Sequence, residues 1–247
     1  MSEALLIDDV TVAFGSLRAV DGLTLRIEYG AVRAIIGPNG AGKTTLLDVI
    51  TGKTRATSGR VVLDRTTDLT RLGEAAISLA GVGRKFQKPS VFEALTLRQN
   101  LALALRSPAR GALAEMLHRP GRDELDRIER VLEIIGMAGS GEKLAGILSH
   151  GQKQWLEIGM LLMREPRVLL LDEPVAGMSD EETSRTVELV LALRAPDRAV
   201  VVIEHDMDFV ERIADLVTVL DQGRLLVEGG MSAVKSDPRV VDVYLGR

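Results

Sequence analysis

The segment Val32-Arg-Ala-Ile-Ile-Gly-Pro-Asn-Gly-Ala-Gly-Lys-Thr44 is the most informative part of the sequence about its fold class. Its mostly apolar first five residues predict a short buried strand, and a helix is predicted from Lys43 to about Ile50. The loop between them matches the pattern G-x-x-x-x-G-K-[S/T] in the strand–loop–helix context that this pattern requires. Its glycines let successive backbone N–H groups face one anion, and the helix dipole adds to their attraction. The stretch therefore predicts a phosphate-binding loop in an α/β fold.

Individual side chains of this loop have expected roles in binding a nucleotide. The pattern places Lys43 to reach the β and γ phosphates, and the hydroxyl of Thr44 to ligate magnesium. The alternative, an ordinary glycine-rich turn, is disfavoured by the strand and the helix on either side. The other loop residues predicted to line the nucleotide are Asn39, Gly40, Ala41, Gly42 and Thr45.

A second apolar strand ends in two adjacent carboxylates, in the segment Val168-Leu-Leu-Leu-Asp-Glu-Pro174. Ligands of open α/β sheets bind at the carboxyl ends of the strands, so Asp172 is expected beside the phosphate loop, where it would help to hold magnesium. Glu173 lies one residue further and is predicted to activate an attacking water. Taken alone, the segment could be a solvated turn whose acids cap the next helix. The phosphate loop makes the catalytic interpretation the better one.

The remaining strand-like and helix-like segments alternate. Period-two stretches joined by glycine-containing turns, at 5–14, 23–28 and 61–63, predict an antiparallel sheet near the N-terminus. Apolar strands at 168–171 and 200–203 are separated by amphipathic helices, which predicts a buried, mainly parallel core sheet. The expected fold class is thus α/β, of the P-loop nucleoside triphosphatase type.

The length of 247 residues suits one large domain with subdomains. Apolar residues at helical spacing between 95 and 136 predict an inserted helical subdomain. We therefore divide the single domain, 1–247, into a nucleotide-binding core with the antiparallel β subdomain at 1–90, the helical subdomain at 91–150, and a catalytic core with the C-terminal tail at 151–247.

Charge, cysteine content and the length of apolar runs indicate which partners and which cellular compartment the protein is suited to. The 31 basic and 35 acidic residues are well mixed and leave a formal net charge of −4, which provides no general attraction for nucleic acid. Cysteine is absent, which fits a reducing compartment. The longest apolar runs are far shorter than the ~20 residues that cross a bilayer, and the N-terminus lacks a secretory pattern. A protein of this kind that works at a membrane would be held there by a partner.

The stretch Leu148-Ser-His-Gly-Gln152 resembles the signature sequence of the ATP-binding cassette (ABC) ATPases, which is usually Leu-Ser-Gly-Gly-Gln. In that family the signature contacts ATP held by a second subunit. The resemblance implies that Ser149 and Gly151 offer a hydroxyl and a backbone N–H to the γ-phosphate, with Gln152 beside them. The physical basis is anion binding at a helix N-terminus. His150 stands where the family usually has glycine.

Three further residues resemble elements of the family. Gln87, in Arg84-Lys-Phe-Gln-Lys-Pro89, resembles the glutamine that contacts magnesium and moves with the permease. His205 resembles the switch histidine that contacts the γ-phosphate, and Phe14 fits the aromatic residue that stacks on adenine. Taken singly, Gln87 would be a surface residue, His205 a structural one, and Phe14 a core residue.

The resemblance covers essentially the whole chain and implies both cofactors and partners. The cofactors are ATP and Mg²⁺. The partners are a second ABC ATPase subunit, related or identical, forming an ATP-sandwich dimer, transmembrane permease subunits and, indirectly, a solute-binding protein. Nucleic acid is not expected, and the implied location is the cytoplasmic face of the cell membrane. In the loop 175–179, Ser179 stands where many relatives have aspartate.

Within the family, the segments 83–92, 148–159 and 174–183 look most like the ATP-binding subunit of urea importers. The C-terminal segment, 237–246, resembles the wider group that serves branched-chain amino acid importers. The expected function is therefore the ATP-hydrolysing motor of an importer for a small polar solute, with urea favoured. The alternatives are branched-chain amino acid import, lipid export, and a non-transport ABC ATPase acting on nucleic acid or ribosomes. A single cassette and a negative net charge disfavour the last.

Overall fold

The computed structural model describes residues 2–85, 90–105 and 121–245. They form two compact units, and each unit collects separate parts of the chain. The first contains 1–84, 167–174 and 193–247, and the second contains 85–166 and 175–192. The subdivision at residues 90 and 150 stays a prediction, since the second unit also takes in residues after 150.

Strands and helices follow one another along the whole chain. In chain order they are β1 (Glu3–Phe14), β2 (Leu17–Glu28), β3 (Val32–Ile36), α1 (Lys43–Ile50), β4 (Ser58–Leu63), β5 (Thr67–Asp68), α2 (Glu74–Leu79), β6 (Val82–Lys85), α3 (Leu97–Ala104), α4 (Arg122–Ile134), α5 (His150–Leu162), β7 (Val168–Asp172), α6 (Asp180–Ala192), β8 (Ala199–Ile203), α7 (Met207–Ile213), β9 (Leu216–Asp221), β10 (Arg224–Gly229), α8 (Met231–Ser236) and α9 (Pro238–Leu245).

The first unit carries an antiparallel sheet with the strand order β2-β1-β4-β5. In β2, Leu23, Leu25 and Ile27 are buried while the residues between them are exposed, which is the period-two pattern of a sheet with one face on a core. The strand begins at Leu17, earlier than predicted, because Phe14 pairs with Leu17 across a tight turn. Gly15 allows this turn by taking a left-handed conformation with φ of 64°.

The larger sheet of the first unit has the strand order β10-β9-β3-β8-β7-β6. Strand β3 pairs in parallel with β8 and β9, and β7 pairs in parallel with β8. All residues of β3, β7 and β8 are buried, as expected for parallel strands that are covered on both faces. Ile203 of β8 is aligned with Ile35 on one side and Asp172 on the other. The register therefore brings the segments after β3 and β7 to the same sheet edge.

Helix α1 anchors that edge to the core. Its residues Leu46, Leu47 and Ile50 are fully buried in a cluster shared with the antiparallel sheet and the strands of the core sheet. Burying each such side chain is worth about 1.5–3 kcal/mol relative to exposure. The packing of these residues therefore fixes the position of α1, whose first turn directly follows the glycine-rich loop.

The second unit is largely helical, as the spacing between residues 95 and 136 predicted. In α4, Ile128, Val131 and Leu132 are buried and form one face of the helix. Helices α5 and α6 are joined by Trp155, which is 5% exposed and whose indole N–H donates a hydrogen bond of 2.8 Å to the hydroxyl of Thr186. This hydrogen bond holds the middle of α5 beside the middle of α6.

The α/β fold class is confirmed, with the antiparallel N-terminal sheet, the mainly parallel core sheet and the helical segment. Strands β9 and β10 form a hairpin near the C-terminus, in which Gln222 and Gly223 both have positive φ, of 47° and 79°, as a two-residue type I′ turn requires. Within the described ranges, no helix is long and apolar enough to span a membrane.

Candidate nucleotide site

Two glycines of the phosphate loop are required by close backbone approaches. A Cβ atom at Gly37 would lie 2.1 Å from the carbonyl oxygen of Leu220, and one at Gly42 would lie 2.3 Å from the carbonyl oxygen of Ala19. Both residues also have positive φ, of 149° and 97°, which side-chain-bearing residues rarely adopt. The loop therefore keeps its curled backbone only with glycine at these positions, while Asn39, Gly40 and Thr44 are exposed.

The side chain of Lys43 folds back over its own loop. Its ammonium donates hydrogen bonds to the carbonyl oxygens of Gly37 (2.6 Å) and Pro38 (3.0 Å). Burial lowers the pKa of Lys43, while the carboxylates of Glu173 and Asp172 act in the opposite direction. The predicted magnesium ligand Asp172 and the predicted base Glu173 thus both act electrostatically on Lys43.

Asp172 is the last residue of β7 and is 2% exposed. Its Oδ2 accepts a hydrogen bond of 2.8 Å from the guanidinium of Arg84, which lies on β6. Arg84 also donates to Oδ1 of Asp48 on α1 at 2.5 Å. A buried carboxylate is costly unless it is paired, and the guanidinium provides the pairing here.

Glu173 follows β7 in a left-handed conformation with φ of 47°. Its backbone N–H donates a hydrogen bond of 2.9 Å to the carbonyl oxygen of Ile203. A non-glycine residue in this region of φ is uncommon and is often found at functional sites. Glu173 thus leaves the extended conformation of β7 directly after Asp172, at the carboxyl edge of the sheet.

His205 and Phe14 are both accessible at the surface of the first unit. The side chain of His205 is 67% exposed, and its backbone N–H donates to the buried carboxylate of Glu204 at 3.0 Å. Phe14, at the end of β1, is 55% exposed. The core interpretation of Phe14 is therefore wrong, and its ring is available for a flat ligand. Gln87 lies outside the described residues.

The predicted signature begins helix α5 of the second unit. Ser149 is the N-cap, with its hydroxyl accepting from the backbone N–H of Gln152 at 3.2 Å. The side chain of Gln152 accepts in return from the backbone N–H of Ser149 at 3.0 Å, which completes a capping box. Part of the signature is thus explained by helix capping, whatever ligand it binds.

Glu182, on α6, is a residue of this region that sequence reasoning missed. The hydroxyl of Ser149 donates to its carboxylate at 2.7 Å, and this hydrogen bond holds the pKa of Glu182 below its usual range. A Cβ atom at Gly151 would lie 2.7 Å from the carboxyl carbon of Glu182. The carboxylate therefore packs against the start of α5, and a side chain at position 151 would require the end of the Glu182 side chain to shift. The pattern Ser179-x-x-Glu182 is a recognisable capping box, but its contact with Ser149 is not encoded locally.

Comparisons with known proteins agree with this arrangement. A family model described as ABC transporter matches residues 20–176. The probable branched-chain amino acid transport ATP-binding protein LivG of Methanocaldococcus jannaschii is 33% identical over 252 residues, covering 99% of this chain and 98% of that protein. The high-affinity branched-chain amino acid transport ATP-binding protein BraF of Pseudomonas aeruginosa is 35% identical over 254 residues, covering 100% of this chain and 99% of that protein.

Solved structures show the same likeness. The ADP conformation of an ATP-binding cassette of an ABC transporter has a TM-score of 0.88 against this chain, with 32% identity and coverage of 100% of both chains. A nucleotide-free ATP-binding cassette from an ABC transporter has a TM-score of 0.84 with 31% identity, covering 99% of this chain and 100% of that one.

The phosphate loop, the buried acidic strand end and these matches define a P-loop ATPase of the ABC type. The chain belongs to the ABC transporter family. It is an ATP-binding subunit that binds and hydrolyses ATP.

Proposed function

We propose that this subunit drives the uptake of a small solute through an ABC importer, using ATP bound at the loop Gly37–Thr45. The observation that supports the site most strongly is the sheet topology. Lys43 begins the helix that follows β3, and Asp172 ends β7, so Lys43 and the pair Asp172-Glu173 lie beyond the same edge of the parallel sheet. Phosphoryl transfer needs a cation beside the transferred phosphate and a group that orients the attacking water. Lys43 supplies the first and Glu173 the second.

In this proposal, water attacks the γ-phosphorus, Glu173 accepts a proton from that water, and ADP leaves. Phe14 stacks on the adenine, for which its exposed ring is suited. His205 contacts the γ-phosphate from the end of β8, and Gln87 reports the state of the site to the permease. The roles of His205 and Gln87 come from the family resemblance.

Magnesium fits the donors on this sheet edge. The hydroxyl of Thr44 and the carboxylate of Asp172 are oxygen ligands of the kind that Mg²⁺ prefers, and Gln87 would add an amide oxygen. Among the described residues, no three His, Asp or Glu side chains are grouped to hold a metal ion. Mg²⁺ commonly binds through one or two carboxylates together with the phosphates of a nucleotide. The ion would neutralise charge on the β and γ phosphates when bound.

The signature supports an ATP sandwich with a second ABC ATPase subunit. Ser149, Gly151 and Gln152 lie at the N-terminal end of α5, where backbone N–H groups and the helix dipole favour an anion. We propose that they contact the γ-phosphate of ATP bound by the other subunit. The transmembrane work is done by permease subunits, which hold this chain at the cytoplasmic face of the membrane.

Gly151→Asp tests the sandwich. The new carboxylate would meet both the γ-phosphate of the partner's ATP and the carboxylate of Glu182, which already lies within contact distance of a Cβ atom at this position. Nucleotide binding by the isolated variant should be unchanged in calorimetry. ATP-driven closure and coupled turnover of the assembled transporter should be lost.

Gly151→Ala is the matched control, because it adds the crowding Cβ atom without the charge. It should impair coupled turnover less than Gly151→Asp does. The difference between the two variants measures how much of the loss in turnover is caused by the added charge. A loss of nucleotide affinity in isolated Gly151→Asp as severe as that of Lys43→Ala would show that the signature acts within its own chain, which contradicts the sandwich.

The transported solute is the finer part of the proposal. The segments 83–92, 148–159 and 174–183 resemble urea importer subunits and favour urea. The names of the similar proteins LivG and BraF favour branched-chain amino acids instead. A shared motor does not by itself define the cargo, because the nucleotide site does not contact the solute. We propose urea, with branched-chain amino acids as the alternative.

Uptake of labelled urea and labelled leucine by the reconstituted transporter separates the two. The ATPase is assembled with its permease subunits and solute-binding protein in proteoliposomes that contain ATP. Urea uptake that exceeds leucine uptake is expected. Leucine uptake without urea uptake would overturn the urea proposal and leave the importer proposal intact, whereas failure of both with full assembly would count against import of either solute.

A further inference from the structure

A buried arginine joins the two parts of the proposed magnesium site. Arg84 is 8% exposed and uses two different nitrogens, one for Asp48 and one for Asp172, at 2.5 and 2.8 Å. Asp48 lies on α1, four residues after Thr44, and Asp172 ends β7. The guanidinium thus bridges the helix that carries one proposed magnesium ligand and the strand that carries the other.

The geometry of this bridge requires an arginine. A guanidinium is planar and presents several N–H donors at fixed angles, so it can hold two carboxylates at once in a defined arrangement. A lysine ammonium at the same place is a point charge on a flexible stem, with no planar fork to set the angle between its partners. The bridge therefore controls position as well as charge.

Groups that hydrogen-bond to a metal-ligating side chain orient that side chain. Removing such a group typically lowers metal affinity by about 10- to 100-fold. Arg84 has this relation to Asp172. It also fixes α1 through Asp48, so the bridge acts on both elements that bear the proposed ligands.

We propose that Arg84 is a positioning residue for magnesium, which holds Asp172 and the α1 helix in the arrangement that binds a Mg–nucleotide complex. The inference rests on the proposed magnesium role of Thr44 and Asp172. Arg84 does not touch the nucleotide, and it acts through Asp172 and Asp48.

The test compares the affinity of the purified chain for ADP with and without magnesium, measured by calorimetry in MgCl₂ and in EDTA. For the wild type, magnesium should tighten ADP binding. In Arg84→Met, this tightening should shrink by about tenfold, which is the lower end of the effect of removing a partner of a metal ligand. ADP affinity in EDTA should stay as in the wild type, because the phosphate loop and Lys43 are intact.

Arg84→Lys separates position from charge. The lysine variant keeps the positive charge, so a purely electrostatic role would preserve the magnesium effect. The positioning role predicts that Arg84→Lys loses it nearly as fully as Arg84→Met. Asp48→Asn, which weakens the other end of the bridge without altering Arg84 or Asp172, should cause a smaller loss in the same direction.

Arg33→Met is the matched control for removing a buried arginine. Arg33 lies in β3 of the same sheet, is 6% exposed, and is ion-paired with Glu228. Its loss should lower the melting temperature without changing the magnesium effect on ADP binding. If Arg33→Met and Arg84→Met reduce ADP affinity equally in both buffers, Arg84 has only a structural role.

The outcomes distinguish this inference from the function on which it rests. No effect of magnesium on ADP binding by the wild type would overturn the magnesium site itself. A normal magnesium effect in the wild type that persists in folded Arg84→Met, or in Arg84→Lys should the methionine variant fail to fold, would overturn only the role of Arg84.

Discussion

Replacing Glu173 by glutamine should reduce ATP hydrolysis by about a hundredfold or more, since a positioned general base is typically worth about 10²–10⁴ in rate. The amide has the size and shape of the carboxylate but cannot accept the proton of the attacking water. Nucleotide affinity should survive, because the phosphate loop and Lys43 are unchanged. With ATP, the variant should accumulate as a dimer with its working partner, since the closed state no longer turns over.

Phosphate release by the assembled transporter measures the rate of ATP hydrolysis, and calorimetry on the isolated chain measures nucleotide affinity. Light scattering measures the mass of the complex and so detects the dimer. Glu165→Gln is a suitable control, because Glu165 also has a left-handed conformation, with φ of 49°. It is not part of the proposed site. Turnover that remains at the wild-type level in Glu173→Gln would remove Glu173 as the catalytic base.

Lys43→Ala should lose ATP affinity and hydrolysis together. A hydrogen bond to a charged group contributes about 1.5–3 kcal/mol, and each 1.4 kcal/mol is a tenfold change in affinity, so ATP should bind about ten- to a hundredfold more weakly. The same charge stabilises the transition state, so turnover at saturating ATP should also fall. This joint loss distinguishes Lys43 from Glu173, whose removal spares binding.

Calorimetry with ATP measures the loss, and thermal unfolding shows whether the loop still folds without the bonds from Lys43 to Gly37 and Pro38. Lys53→Ala is the control, since Lys53 is a half-exposed lysine that lies near Asp48 and outside the loop. Tight ATP binding by folded Lys43→Ala would contradict the placement of the phosphate site.

The sequence predicted those features that depend on local pattern. The glycine-rich loop could be recognised because a curled backbone needs glycine at fixed positions, and the close approaches at Gly37 and Gly42 bear this out. The core strands could be recognised because strands buried on both faces are continuously apolar. Asp172 could be placed at the sheet edge because parallel strands share their carboxyl ends.

Contacts between distant segments could not be predicted in this way. Arg84 and Asp172 are 88 residues apart, and Ser149 and Glu182 are 33 apart. Which side chains meet across such distances depends on strand register and helix packing, and one sequence contains no periodic signal for either. The early start of β2 was missed for a related reason, because the residues after Leu17 are mostly polar or small and are held in the sheet by pairing with β1.

We propose that hydrolysis at the site of Lys43, Asp172 and Glu173 drives the movement of a solute. Labelled urea or leucine uptake and phosphate release should be measured together, in the same proteoliposomes, for the wild type and for Glu173→Gln. The wild type should show both activities, and both should collapse together in Glu173→Gln. Uptake that continues at the wild-type rate in Glu173→Gln, with phosphate release abolished, would show that hydrolysis at this site does not drive transport.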